Sequence, residues 1–278
     1  TDTSGTTQGA NYIWTVSNQI GTILETYNYH KSSFVLSNSS SIIDSSYYIS
    51  LTVNDNLGCQ NTFTSNEINV FASPISEISL EDKCDGNSVY FYDNSTSLTS
   101  TITNWEWNFG DIGSLSDTST LQNPNSYVYS SWGAYSVSLI ITNNNLCKDT
   151  SFQNINIYPN PVSNFISNFN CETQLLCNNT LLSFNDSSFV DSFGGSITNE
   201  YWYIDNIFAD SSVYTQTFNT LLDTGISNIK HIVKTQYGCL DTIAIDFEVV
   251  STPTAGFFIT DTVCGNDTSL IEMINLSN

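Results

Sequence analysis

Arginine is missing from this chain, and its five basic residues are all lysine: Lys31, Lys83, Lys148, Lys230 and Lys234. Against 27 acids they leave a formal net charge of −22. A phosphate backbone needs a basic footprint, so this balance excludes nucleic-acid binding. It disfavours docking on anionic lipid heads for the same reason. No apolar run approaches the roughly 18 residues of a membrane-crossing helix, so no membrane insertion is expected. No charged-then-apolar leader opens the chain, so any secretion signal is expected to have been removed or to lie outside it. Catalytic signatures are equally scarce. There are two histidines, no Gly-x-Ser-x-Gly elbow and no phosphate-cradling glycine loop. Charged residues make up only 12% of the chain, so Ser, Thr and Asn must supply most of the surface.

Core-building residues are plentiful. At 278 residues, 40% of them hydrophobic and 13% aromatic, the chain can build two or three domains. In Trp105–Asp111 (Trp-Glu-Trp-Asn-Phe-Gly-Asp), Trp105, Trp107 and Phe109 alternate with Glu106, Asn108 and Gly110. A period of two puts three aromatics on one face of a strand, and Gly110-Asp111 breaks it with turn chemistry. A second strand follows from Gly133, with Tyr135, Val137, Leu139 and Ile141 on one face. A Trp-centred strand, a turn, an aromatic-led strand and a cysteine describe half of a β-sandwich core.

Markers recur at a fixed period. Cys59, Cys147 and Cys239 end long strands at intervals of 88 and 92. Cys84, Cys177 and Cys264 are separated by 93 and 87, Trp14, Trp107 and Trp202 by 93 and 95, and Pro74, Pro161 and Pro253 by 87 and 92. Four independent markers agree on a repeat near ninety residues. Each proline follows an alternating apolar strand, where ladder pairing ends. The intervals predict an incomplete domain in residues 1–73 that lacks its first strand or two. Complete domains follow in 75–161 and 162–252, then the opening strands of a fourth in 254–278. The short proline joints, without a Gly/Ser tract, predict closely strung, semi-rigid neighbours. Counted from Cys264 to the last residue and on to Trp14, the gap is 28 residues, against 23 for Cys84 to Trp107 and 25 for Cys177 to Trp202. The two incomplete ends therefore fit each other, as in a segment of a longer repetitive chain or the repeating unit of a fibre.

The run Trp107-Asn108-Phe109-Gly110-Asp111, followed by Asn123-Pro124, Tyr127 and Gly133-Ala134-Tyr135-Ser136-Val137, resembles a PKD domain. The stretches from Trp14 and Trp202 keep the Trp but lose the Phe-Gly-Asp. The resemblance implies an all-β fold of tandem Ig-like (PKD-like) sandwiches in a linear array, on a cell-surface or secreted protein. Disulfide-bearing arrays of this kind are similar to very long cell-surface adhesins and filaments of Bacteroidetes, which leave through a type IX secretion route. The implied function is structural: an extracellular segment of a filament or adhesin stalk, its partners being neighbouring repeats or identical subunits. The alternative is a module that binds a polysaccharide or a protein.

The cysteine spacing suggests one disulfide per domain, Cys84–Cys147 and Cys177–Cys239, enclosing similar loops of 63 and 62 residues. Cys59 and Cys264 are expected to pair outside the segment, or with each other between identical units. Cys171 is left over, as a free thiol or as a competitor of Cys177. Paired cysteines imply an oxidising compartment.

Candidate chemistry is thin. Asp111 suits a turn cap, and a calcium role would require further oxygens from Asp117, Asn123 or Asp149. Calcium held between acidic loops is the sharper reading of the net charge; a solvated, self-repelling surface is the plainer one. His231 takes the slot of Leu139 in the repeat and faces inward, as a core histidine with a hydrogen-bond partner. His30 lies in an aromatic stretch. Trp132 sits in a turn, and Tyr201 and Tyr203 face away from Trp202. Thr242 and Thr262, each in an Asp-Thr-aliphatic triplet, resemble Bacteroidetes O-glycosylation sites.

Overall fold

The computed structural model describes residues 10–29, 33–169, 176–212, 217–259 and 273–277. It divides into two units, residues 1–157 and 158–278. Among the described residues every regular element is a strand, apart from one 3-10 turn at Ser192–Gly194.

The first unit holds two sheets of matching order. Strands β1 (Asn11–Asn18), β2 (Ile23–Tyr27), β3 (Ser45–Asn54) and β4 (Gln60–Thr64) run β2-β1-β3-β4, with β5 (Ile68–Val70) also on β3. The next set comprises β6 (Ile78–Ser79), β7 (Lys83–Cys84), β8 (Tyr92–Asp93), β9 (Ile102–Asn108), β10 (Thr118–Ser119), β11 (Gly133–Asn143) and β12 (Lys148–Tyr158). They form a sheet β10-β9-β11-β12-β7 and a pair β6-β8. Period-two alternation works as the sequence predicts. Trp107, Phe109, Val137, Leu139 and Ile141 point inward and are buried, with Trp105 and Tyr135 packed against them. Ile78 and Phe91 close the core from the other side. Each such side chain contributes about 1.5–3 kcal/mol of burial.

Gly110 makes the turn after β9. Its φ is +76°, and a Cβ there would run into the carbonyl oxygen of Ser136. Conformation and space both require glycine.

The joint inside the first unit is pinned. Asp44 Oδ1 accepts from the Ala72 amide at 2.8 Å and from the Thr99 hydroxyl at 2.9 Å. Asn143 Nδ2 reaches the Ala72 carbonyl at 3.5 Å.

The second unit repeats the plan. Strands β13 (Phe165–Ser167), β14 (Leu176–Cys177), β15 (Leu181–Asp186), β16 (Ile197–Ile204), β17 (Ile207–Ser212), β18 (Thr217–Leu221), β19 (Gly225–Thr235) and β20 (Leu240–Val250) form sheets β13-β15-β18 and β14-β20-β19-β16-β17. A separate pair follows, β21 (Phe257–Ile259) with β22 (Met273–Asn275).

The repeat extends to individual bonds. Cys59, Cys147 and Cys239 each give their amide to the side chain four residues earlier, Asp55, Asn143 and Thr235, at 2.7, 2.9 and 3.2 Å. Ser76 and Ser163 each give their amide to an aspartate, Asp149 and Asp241, at 2.7 and 2.8 Å. The leading pairs share a register: Ile78 opposite Asp93, Phe165 opposite Asp186, and Phe257 opposite Asn275.

Candidate functional site

The acids singled out in the sequence are spent on structure. Asp111, 2% exposed, accepts from Tyr127 Oη at 2.8 Å, Ser130 N at 3.0 Å and Ser130 Oγ at 2.8 Å. It clamps a later loop rather than its own turn. Burial alone would raise its pKa; the hydrogen bonds from Ser130 and Tyr127 outweigh that and hold it below the usual carboxylate value. Burial and the adjacent carboxylate push the Tyr127 phenol up. Tyr129, raised mainly by burial, donates to the Phe109 carbonyl at 3.0 Å.

Asp149 lies elsewhere. It pairs with Ile141, whereas Gly110 packs against Ser136, five residues back along β11. At about 3.3 Å per residue the two carboxylates are on the order of 17 Å apart. Asn123 Oδ1 is engaged by the Asp93 amide at 3.0 Å. Asn123 and Asp149 therefore do not converge on Asp111, whereas the Asp117 carboxylate acts on the same Tyr127 phenol as Asp111 does.

The cysteine pairing departs from the sequence expectation. Cys84 and Cys239 are each in a disulfide, while Cys59, Cys147 and Cys177 carry free thiols. Neither Cys84–Cys147 nor Cys177–Cys239 is formed. The sheet explains this. Cys177 pairs with Val250 at the far end of β20, while Cys239 immediately precedes its first residue. Eleven strand residues at about 3.3 Å put them roughly 35 Å apart, and a disulfide tolerates about 7 Å between Cα atoms. In the second sandwich Asp82 bonds the Asn156 amide, so Cys84 is held at the C-terminal end of β12, away from Cys147. Similar loop lengths in the two domains reflected the repeat and not a bond. Cys171 and Cys264 lie outside the described residues, as do His30 and Thr262.

A polar centre sits inside the third sandwich. His231 and Glu200 are wholly buried, and the Asp186 side chain is 4% exposed. His231 Nδ1 lies 4.0 Å from Asp186 Oδ1 and 3.3 Å from Ser163 Oγ; Nε2 lies 3.8 Å from Glu200 Oε2 and makes no hydrogen bond. The imidazole stacks on Trp202 at 4.0 Å. The inward histidine was legible from the repeat; its two carboxylates were not. The ring stands between the acids with one nitrogen toward each. One donor atom from each of the three side chains lies within 4.8 Å of the others, a spacing that could hold a metal ion.

On the surface, Thr242 is exposed on β20 and Trp132 is 42% exposed. Tyr203 lies under Lys230 Nζ, 4.9 Å from its ring centre.

The inner face of the first sheet is half open. Trp14, Ile49, Leu51, Ile68 and Val70 are half-buried. Their counterparts Trp107, Val137, Leu139, Ile155 and Ile157 are buried to 2% exposure or less. The pair β21-β22 shows the converse: Phe257 and Met273 are 67% and 71% exposed. Their counterparts are Ile78 and Phe91 at 8% and 1%, and Phe165 and Phe184 at 7% and 0%.

No curated protein matches the chain. Among solved structures, the PKD1 domain of the Vibrio cholerae metalloprotease PrtV is 30% identical, covering 31% of this chain and 96% of that one with a TM-score of 0.27. The PKD1 domain of Vibrio anguillarum Epp is 26% identical over 31% of this chain and 93% of that one, TM-score 0.27. The Ig1–Ig3 ectodomain of mouse nectin-like molecule 4 is 10% identical over 87% and 95%, TM-score 0.35. No helix among the described residues is long and apolar enough to cross a membrane. PKD and Ig-like domains are typically non-catalytic and extracellular. Residues 71–157 match the PKD domain family model, and this chain is built of PKD/Ig-like β-sandwiches in tandem.

Proposed function

We propose that this chain is a non-catalytic, extracellular structural array, a segment of a surface filament or adhesin stalk. One observation carries the reading: polar side chains are committed, repeat after repeat, to the same framework bonds. Ser76–Asp149 and Ser163–Asp241 recur at matched positions, as do the three amide caps before the hairpin cysteines. Asp111 is likewise consumed by packing. The acidic, Ser/Thr/Asn-rich surface suits solvation over length. Export by a type IX route and O-glycosylation at Thr242 belong to the same reading.

Electron microscopy of the protein taken from its native surface tests it. Long regular strings with a sandwich repeat are the expected result. A compact, intracellular particle overturns it.

The second reading, a polysaccharide- or protein-binding module of a larger secreted protein, draws on the exposed Trp132 and on the PKD1 domain carried by a metalloprotease. Retention on insoluble glycans, lost in Trp132→Ala, would favour it.

A further inference from the structure

Hydrogen bonds assign the protons of the His231 centre. Ser163 Oγ donates to the His231 carbonyl at 3.1 Å, as Ser76 Oγ donates to the Leu139 carbonyl at 3.1 Å in the second sandwich. A hydroxyl has a single proton to give, so toward His231 Nδ1, 3.3 Å away, Ser163 Oγ is the acceptor. Nδ1 therefore carries the ring hydrogen, and in the neutral imidazole Nε2 is left with a lone pair. That nitrogen is buried and makes no hydrogen bond. It faces Glu200 Oε2 across 3.8 Å. The distance is too long for a shared proton, since a charge-assisted N–H···O bond measures about 2.7–2.9 Å.

The gap has the size of an ion. Zinc binds imidazole nitrogen at about 2.0–2.1 Å and carboxylate oxygen at about 2.0–2.2 Å. Two such ligands of one ion stand roughly 3.4 Å apart at the tetrahedral angle and about 4.2 Å apart in line. The observed 3.8 Å falls between these limits. Asp186 supplies a third donor, because one donor atom each of Asp186, Glu200 and His231 lies within 4.8 Å of the others. Rotation of the carboxylates about their side-chain bonds closes the remaining difference. The ring is already held for this task. Ser163 orients Nδ1, as the outer partner of a ligating histidine does. Trp202 stacks on the imidazole at 4.0 Å, and Phe165 meets it edge-on at 6.1 Å.

The donor set narrows the ion. Calcium takes about six to eight oxygens, and magnesium a near-ideal octahedron that keeps several waters. A core position walled by Trp202 and Phe165 suits neither. One imidazole and two carboxylates match four-coordinate zinc, and its double charge balances the two buried acids. We propose that Asp186, Glu200 and His231 hold one zinc ion inside the third sandwich, as a structural centre that couples metal binding to folding. The second sandwich has Asp93, Trp105 and Leu139 at the same three positions, so it serves as an internal control. The inference concerns the core of one domain and stands whether the array is a stalk or a binding module.

The test uses the full chain, stripped of metal by a chelator in mild denaturant, returned to buffer and titrated with zinc chloride. Two variants accompany it. Glu200→Gln keeps the size of the side chain and removes a charged ligand. His231→Leu with Glu200→Trp restores the residues of the second sandwich and keeps every surface acid and free thiol, so it subtracts adventitious zinc. After desalting, elemental analysis is expected to find one more zinc per chain in the unmodified protein than in the double variant. At a hundredfold excess over its Kd, zinc should slow amide hydrogen exchange along β16 and β19 by about a hundredfold and leave β9 and β11 unchanged. Glu200→Gln should weaken zinc binding by more than about tenfold. Equal zinc in the unmodified chain and the double variant overturns the site, as does bound zinc that leaves exchange on β16 and β19 unchanged. Glu200→Gln binding as tightly as the unmodified chain overturns it too.

Discussion

The second and third sandwiches solve the same core with different chemistry. In the second, Trp105 Nε1 donates to Asp93 Oδ2 at 2.7 Å, and Leu139 lies behind, wholly buried. In the third, the repeat puts Glu200 at the Trp105 position, His231 at that of Leu139 and Asp186 at that of Asp93. The backbone pairing is unchanged: Trp105 faces Ile141, and Glu200 faces Val233. One domain satisfies the half-buried Asp93 with an indole N–H and the Gln122 amide and fills the rest with hydrocarbon. The other adds a second carboxylate and an imidazole between the two. Packing fixes where a side chain must be. It leaves open whether the volume is filled by an apolar pair or by a polar cluster, provided that both members change together.

The largest effect should come from breaking that balance. His231→Leu alone removes the imidazole from between two buried carboxylates and should destabilise the third sandwich by about 3–5 kcal/mol. Adding Glu200→Trp restores the pattern of the second sandwich and should recover most of the loss. Denaturant midpoints of the wild type and the two variants check this, and a double variant no better than the single one would refute the equivalence.

A smaller effect, about 2–3 kcal/mol, is expected from Gly110→Ala, which combines a strained φ with a clash on Ser136. The third sandwich lacks the Phe-Gly-Asp turn, so its unfolding should be untouched.

Acid separates the domains further. Asp111 has its pKa lowered by folding. Its contribution is therefore complete above the unfolded carboxyl value of about 4 and is lost as pH falls through the folded value. Asp111→Asn should flatten the acid limb of the second sandwich's stability curve, read as Tm against pH.

The mildest test is chemical. Without reduction, alkylation should label Cys147 and Cys177 while sparing Cys84 and Cys239. The second sandwich then keeps its hairpin thiol free, and the third its edge thiol. Labelling of Cys84 in place of Cys147 would contradict the observed pairing.

The repeat made much of this legible. Period-two alternation located β9 and β11, and the spacing back from Cys239, the same as that of Leu139 from Cys147, placed His231 on the inner face. The cysteine bonds were not legible, because equal spacing in two domains follows from duplication whether or not the residues touch. Only the parallel pairing of β14 with β20 shows that Cys177 and Cys239 occupy opposite ends. Glu200 and Asp186 were hidden for a related reason. A carboxylate in an alternating strand reads as solvent-facing, and only a strand-by-strand comparison with Trp105 turns it inward.

The parallel contact between β14 and β20 has a mechanical consequence. Leu176 and Cys177 run beside Val249 and Val250, and the contact continues through the Asn178 amide to the Val250 carbonyl at 2.9 Å and the Thr252 amide to Asn178 Oδ1 at 2.8 Å. Tension that reaches β14 from the N-terminal side and β20 from the C-terminal side pulls the two strands in opposite directions along their common axis. Their hydrogen bonds are then strained in shear and must fail together, where an antiparallel hairpin pulled from its open end would unzip one bond at a time.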